Sequence, residues 1–414
     1  MKKTLTVLLL IVFILPLVSC GSSSDNKHRK VDWEPEGHLV LALRDGIYAD
    51  VIEECLIDFE ESTHIYCETL KLGEDELHSG IMDDSANANG AYDICMVDGS
   101  WMAEYTKNNV LLNLSDYGYE LDDDIITATK KICYYNGDVY LAPYYGNVTI
   151  LLYNKRLASA AGFKDGNICS LDDMLEICKY AKKHRNLGFL YRGDTPNNIV
   201  VDFLPILLSH GGWVVDENNN PTIDTPEFRQ AMYYYLDFID TGKAVSKNDL
   251  IIAIVNQAAA MGVGWPGWYT PERNGQADYA AITGKVNDDS KAYNANVYGI
   301  WTIGVTANSD NREAAVKLLE YLMDPEIQKR SVDYGGVPCR YSSLKDPEIL
   351  KKFPQYAPVC QALEGGVYRP IMAEWTDFYK ILGNELKLII DSEKTVDAGL
   401  KDAQQQLEEM LEKK

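Results

Sequence analysis

Residues Asn136–Leu157 read NGDVYLAPYYGNVTILLYNKRL, and the break in the middle of that stretch decides the fold. Asn136-Gly137-Asp138 is a tight-turn signal of the kind that joins two strands. Val139-Tyr140-Leu141-Ala142 reads as a short strand whose ladder Pro143 stops, because proline has no N–H to donate. After the polar aromatic cluster Tyr144-Tyr145-Gly146-Asn147 a second strand begins, Val148–Tyr153, rich in β-branched and aromatic residues. Two strands in line, interrupted by Pro, two Tyr and Gly, describe a chain that leaves one sheet and enters another. A ligand at the break would touch both halves.

Upstream, the pattern is β-α-β-α-β. His38–Leu43 is a continuous apolar run, as in a parallel strand covered on both faces. Val51, Ile52, Cys55, Leu56 and Phe59 follow at helical spacing. Ile65–Leu70 is a second strand, Glu74–Asp83 a helix, and Tyr92–Val97 a third strand. That order predicts an α/β chain with a doubly wound sheet, whose ligands lie beyond the carboxyl ends of the strands. Those ends carry Asp45 and Tyr48, and then Asp98 to Trp101. Asp98 is either a hydroxyl acceptor or a helix N-cap, and Trp101 either a stacking platform or a packing residue.

Downstream, Ser170-Leu171-Asp172-Asp173 resembles a capping box, and a helix spans Ile199–Leu208. Asp216–Asn220 reads as a solvated turn, since the spacing of a calcium loop is absent. Thr225-Pro226 opens another helix. Ile251–Tyr269 reads as an Ala-rich helix running into Met261-Gly262-Val263, followed by a Gly/Pro-broken loop with Trp265 and Trp268. Exposed indoles on a loop need a reason, and aromatic faces suit the C–H faces of sugar rings. Tyr298–Val305 is a return strand, and Trp375–Ile390 and a stretch from Thr395 are the last helices.

Several segments in one order carry a resemblance. Gly137, Tyr140, Pro143, Tyr144, Tyr153, Asn154 and Lys155 are joined by Ala91–Ile94, Gly211-Gly212-Trp213, Thr222–Glu227, Ala259–Gly264, Gly299–Val305 with Ala314-Ala315, Arg369-Pro370 and Thr395–Leu400. Together they resemble the bacterial extracellular solute-binding proteins of ABC importers, the sugar-binding family that includes maltose-binding protein. The resemblance implies two α/β lobes joined by crossing strands, with a sugar in the cleft. It implies that Tyr144, Asn147, Trp265 or Trp268, Trp301 and Trp375 face that cleft; Tyr145, Trp213 and Arg340 complete the candidate set. The family's Pro-Asp pair is Tyr92-Asp93 here, and Gly264-Trp265-Pro266-Gly267-Trp268 scrambles its usual order. The expected lobes are 38–145 plus 302–338, and 146–301 plus 339–414.

The chain's first residues suit export. Lys2 and Lys3 precede an apolar run, Leu5–Val18, shorter than the about 20 residues a membrane span needs, which reads as a signal peptide over 1–19. Leu17-Val18-Ser19-Cys20-Gly21 resembles a bacterial lipobox, with Cys20 the lipidated residue; 20–37 is then a flexible tether. The body is expected on the extracytoplasmic face of the membrane, held by lipid.

Roughly 375 residues remain, enough for two domains. The formal charge of −23 argues against nucleic acid, and against a polyanionic ligand unless a local basic pocket overrides the average. Cys55, Cys67, Cys95, Cys133, Cys169, Cys178, Cys339 and Cys360 form no C-x-x-C pair, which weakens zinc and thioredoxin-like readings; mostly free, buried thiols are expected, although disulfides are permitted. No cofactor or metal is implied. The composite expectation is a monomeric, non-enzymatic receptor that delivers an oligosaccharide or glycoside to a permease. The alternatives are a surface glycoside hydrolase or polysaccharide lyase, which needs two carboxylates about 5 to 9 Å apart, and a sugar sensor without transport.

Overall fold

In the computed structural model, residues 33–163, 170–271, 275–284 and 294–413 are described. Cys20, Cys169 and the signal, lipobox and most of the tether expectations lie outside them.

Two five-stranded sheets organise the chain. The first runs, in spatial order, Ile65–Leu72, Gly37–Arg44, Ile94–Asp98, Trp301–Val305 and Ala142–Tyr145. Its first three strands are parallel, and Trp301–Val305 is antiparallel to both neighbours. Helices Ile47–Thr63 and Glu74–Ser85 make the parallel crossovers, as the β-α-β-α-β pattern requires. The second sheet runs Ala277–Ala280, Ile150–Asn154, Ala259–Gly264, Leu187–Tyr191 and Lys243–Ala244. Each sheet has helices packed against it, giving a two-lobed α/β molecule.

The quoted stretch does pass between sheets. Tyr134–Tyr135 and Asp138–Val139 form the expected hairpin, with Asn136 and Gly137 both at positive φ, 51° and 97°. Two local readings need correction. Pro143 lies inside the strand Ala142–Tyr145, opposite Thr302, and does not end it. The strand is the sheet's edge, so the missing donor disrupts no inner ladder. Likewise Ala259-Ala260 begin a strand, because the preceding helix stops at Val255. That strand lies between two partners, and its small residues are fully covered on both faces. Tertiary pairing here overrides alanine's helical preference.

Three segments cross between the lobes and are paired to one another. Gly299 N–H donates to Asn147 (2.9 Å) and Thr149 N–H to Val297 (2.8 Å). Val297–Tyr298 is parallel to Val367–Tyr368, the third crossing. Residues Cys339, Leu344, Val359, Cys360 and Leu363 join the apolar core of the first sheet, whereas Trp375, Phe378 and Leu382 join that of the second.

Helix ends follow local chemistry. Ser170 and Asp173 make the reciprocal capping box, and Thr225 caps Pro226–Asp240, with proline in the first turn. Each such cap contributes about 1 kcal/mol.

The seven cysteines among the described residues are free and buried. Burial pushes the Cys95 and Cys339 thiols up to about 12, and Cys360 up to about 11. A thiol that stays protonated is a poor nucleophile. A Cys169→Ser variant lacking residues 1–20 should therefore show no fast reaction with a chromogenic disulfide when native, and seven thiols after denaturation. Fast native labelling at any of the seven would contradict this packing.

Candidate functional site

A cavity of about 450 Å³ opens where the two sheets meet the crossing segments, within the range of about 300–1,000 Å³ usual for small-molecule sites. From the first lobe it is lined by Arg44, Asp45, Gly46, Ile47, Tyr48, Glu74, Asp98 and Trp301; from the second by Arg192, Asp194, Asn197, Asn198, Val201, Lys247, Trp265 and Trp268. Asn147, Gly299 and Arg369 lie on the crossings between them.

Strand ends explain the first set. The strand Gly37–Arg44 runs out into Asp45 and the first turn of helix Ile47–Thr63. Register places Trp301 directly opposite Asp98, so their side chains share a face of the sheet. Asp98 caps the turn Gly99–Trp101 by accepting from Ser100 N–H (2.9 Å) and Ser100 Oγ (2.7 Å). Arg369 Nη2 donates to both of its carboxylate oxygens at 2.7 Å, while Arg369 Nε donates to the Tyr298 carbonyl at 3.2 Å. Both partners of this ion pair are buried. Burial works to lower the Arg369 pKa, but Asp98 and Glu74 hold it above its ordinary value. Burial, then the charge of Asp98, pushes the Glu74 carboxyl upward.

An aromatic layer backs this wall. Tyr48 packs against Trp301 (5.6 Å between ring centres) and edge-on against Tyr145 (4.8 Å, 76°). Trp101 meets Trp301 edge-on, at 5.5 Å and 86°. Burial pushes the Tyr48 phenol up to about 12, and its hydroxyl accepts from Asn147 Nδ2 at 3.2 Å.

On the second lobe, Arg192 follows the strand Leu187–Tyr191 and is pinned by Asp202 and Asn198: Nε donates to Asp202 Oδ1 at 3.1 Å and Nη1 to Asn198 Oδ1 at 2.8 Å. Its guanidinium carbon lies 5.0 Å from the Trp268 ring centre. Two glycines let the indoles lie close to the backbone. A methyl at Gly264 would stand 2.8 Å from Trp268 Cε3, and one at Gly299 2.7 Å from Trp265 Cη2.

The structure thus brings Asp45, Tyr48, Asp98, Asn147, Trp265, Trp268 and Trp301 to one cavity. Trp101 and Tyr145 do not line it; they support the aromatics that do. The other four candidates stand elsewhere. Tyr144 is buried in the first core. Trp375 is buried in the second, stacked on Phe378 at 5.5 Å. Trp213 packs on the second core. Arg340 is 2% exposed and salt-bridged to Asp122 (2.7 Å) and Asp124 (3.3 Å), which accounts for its charge locally.

The cavity also holds residues that sequence reasoning passed over: Glu74, Arg192, Asp194, Asn197, Asn198, Lys247 and, as a site residue, Arg369. A signal existed for Arg192. Gly188-Phe189-Leu190-Tyr191 is an apolar run of strand length, and the strand-end rule points at the residue just beyond it.

Removing one member of a buried ion pair leaves an uncompensated charge, at a cost of about 3–5 kcal/mol. Arg369→Ala should lower unfolding stability by that amount in urea titrations. Gly264→Ala and Gly299→Ala should each cost about 1–3 kcal/mol through overpacking, with a change in the near-ultraviolet dichroism of the indoles. An Arg369→Ala protein as stable as wild type would show that the pair is not closed in solution.

Comparison with known proteins agrees with this architecture. A probable amino-acid ABC transporter periplasmic-binding protein of Sinorhizobium fredii is 23% identical over 375 residues, covering 86% of this chain and 85% of its own length. The diacetylchitobiose-binding protein of Streptomyces coelicolor is 21% identical over 382 residues, covering 87% of each. The structure of maltose-bound MalE3 of T. maritima superposes with a TM-score of 0.78 at 21% identity, over 90% of this chain and all of that one. The family model for bacterial extracellular solute-binding proteins matches residues 56–358, and this chain belongs to that family.

Proposed function

We propose that the protein is the capture receptor of an ABC importer and that it binds a carbohydrate, an oligosaccharide or glycoside, between its lobes. The observation that carries this reading is three indoles, Trp265, Trp268 and Trp301, converging on one cavity with hydroxyl-matching groups beside them. Asn147 Oδ1 and Asn197 Oδ1 are buried and accept no hydrogen bond from the described residues. A buried acceptor without a donor costs about 1–3 kcal/mol, and sugar hydroxyls would supply the donors. One relative named above is called a diacetylchitobiose-binding protein and the MalE3 structure is maltose-bound, which supports the same class of ligand.

The proposed motion is a hinge at the three paired crossings. Its moving bodies are 38–145 with 302–338, and 146–301 with the chain's last helices; the helices between 341 and 364 travel with the first body, whose core they share. A ligand that touches both walls binds the closed form better, and that difference in affinity drives closure. The proposal includes a lipid at Cys20, a monomeric body outside the cytoplasm and a permease as acceptor of the sugar. The amino-acid name of one relative motivates the competing reading of a free amino acid as ligand.

A thermal-shift screen across neutral and acidic saccharides, polyols and amino acids tests the reading. A saccharide at about 100 times its Kd adds about 2.7 kcal/mol of stability, so its melting point should rise clearly and the recovered sugar should be unaltered by mass spectrometry. Trp301→Ala should remove that shift. A response to amino acids alone would contradict the carbohydrate reading, and a cleaved or unsaturated product would favour an enzyme.

A further inference from the structure

The charged groups around the cavity sort into matched and unmatched ones. Arg369 is matched by Asp98, Arg192 by Asp202, and Arg44 by Asp45. Glu74 is the first residue of helix Glu74–Ser85, and Asp194 precedes Thr195, the cap of Pro196–Ser209. Neither carboxylate makes an ion pair among the described residues. Each lies at the positive end of a helix, which offsets part of its charge, and Asp194 also accepts from Asn198 Nδ2 at 2.9 Å, while burial and Asp98 push the Glu74 carboxyl towards its neutral form.

Lys247 is the reverse case. It opens the helix Lys247–Val255, so its ammonium stands at the end where a cation is disfavoured. It makes no ion pair with a carboxylate of the described residues. The first-turn acid of its own helix, Asp249, instead accepts from Ser246 Oγ at 2.8 Å. Lys247 Nζ lies 5.6 Å from the centre of the Trp268 ring, the same indole that Arg192 faces at 5.0 Å. From the opposite wall Arg44 stands 6.0 Å from the Trp301 ring. Lys247 is exposed at the rim of the cavity; partial burial first, and then the Arg44 and Arg192 guanidiniums, pull its pKa down. Lys247 thus has an indole face and two neighbouring guanidiniums, and no carboxylate of the described residues to balance it. Local rules broken in this way mark functional positions.

We propose that Lys247, with Arg192 and Arg44, forms an anion subsite in the cleft, so that the saccharide carries one negatively charged group, a carboxylate of the uronic-acid class. The inference rests on the carbohydrate reading above. One unmatched cation suits one negative charge better than a phosphate dianion. The unpartnered acceptors Asn147 Oδ1 (on a residue 3% exposed) and Asn197 Oδ1 line the same cavity and suit hydroxyls. Hydroxyls and a single anionic group on one ligand describe an acidic sugar. The chain's overall charge of −23 does not oppose this, because the outer faces are screened over a Debye length of about 8 Å at physiological salt.

Calorimetric titration of the full chain with digalacturonic acid and with its neutral methyl ester is the test, repeated with Lys247→Gln and Lys247→Arg. The acid should bind about tenfold or more tightly than the ester, and higher salt should narrow the ratio. Lys247→Gln should abolish the preference by costing the acid far more affinity than the ester, and Lys247→Arg should restore it. Equal binding of acid and ester, a preference that survives Lys247→Gln, or binding of neutral saccharides only would overturn the anion subsite and leave the receptor reading standing. Amino acids binding where no saccharide does would sink the carbohydrate reading and this inference with it.

Discussion

The backbone pairing of the three crossing segments is the constraint on which the rest of the molecule depends. Asn147 and Thr149 are laced to Gly299 and Val297, and Val297–Tyr298 in turn to Val367–Tyr368. Each crossing must leave one sheet and reach the other, so the carboxyl ends of strands from both lobes are brought to face one space. Nothing in either core alone would create that space. Chain continuity creates it, together with the need to satisfy buried backbone donors and acceptors.

Arg369 and Asp98 stand at the foot of this arrangement. Asp98 ends the middle strand of the first sheet, and Arg369 directly follows the third crossing. A buried pair of this kind is weak evidence for net stability, since desolvation offsets the attraction. Its value here is positional. It fixes the third crossing against the strand end and leaves Trp301, directly opposite Asp98 in register, as an open wall of the cavity.

Much of this was legible in the residues. The interrupted stretch 136–157 announces a change of sheet, and the opening pattern announces a doubly wound one. Glu74–Ser85 and Trp375–Ile390 nearly coincide with their helical periodicity. The site was legible where strand ends could be recognised, as at Asp45, Tyr48 and Asp98. Residue type alone misled elsewhere. Tyr144 and Trp375 are large aromatics that the cores absorb, and no local pattern separates a core indole from one facing a cleft. Arg340 illustrates the same difficulty for charge, because Asp122 and Asp124 lie more than 200 positions away in the chain. Lys247 is the opposite case: nothing in its sequence context singles it out, and only its neighbours in the fold, Trp268, Arg192 and Arg44, do so.

The central claim is that one ligand touches both lobes at once. Amide hydrogen exchange with and without a saturating saccharide tests it most directly, because it reads both walls in one experiment. Protection should rise together around residues 44–48 and 98–101 of the first lobe and around 192–198 and 264–268 of the second. Protection confined to one lobe, or absent from both under saturating ligand, would contradict a site formed between them.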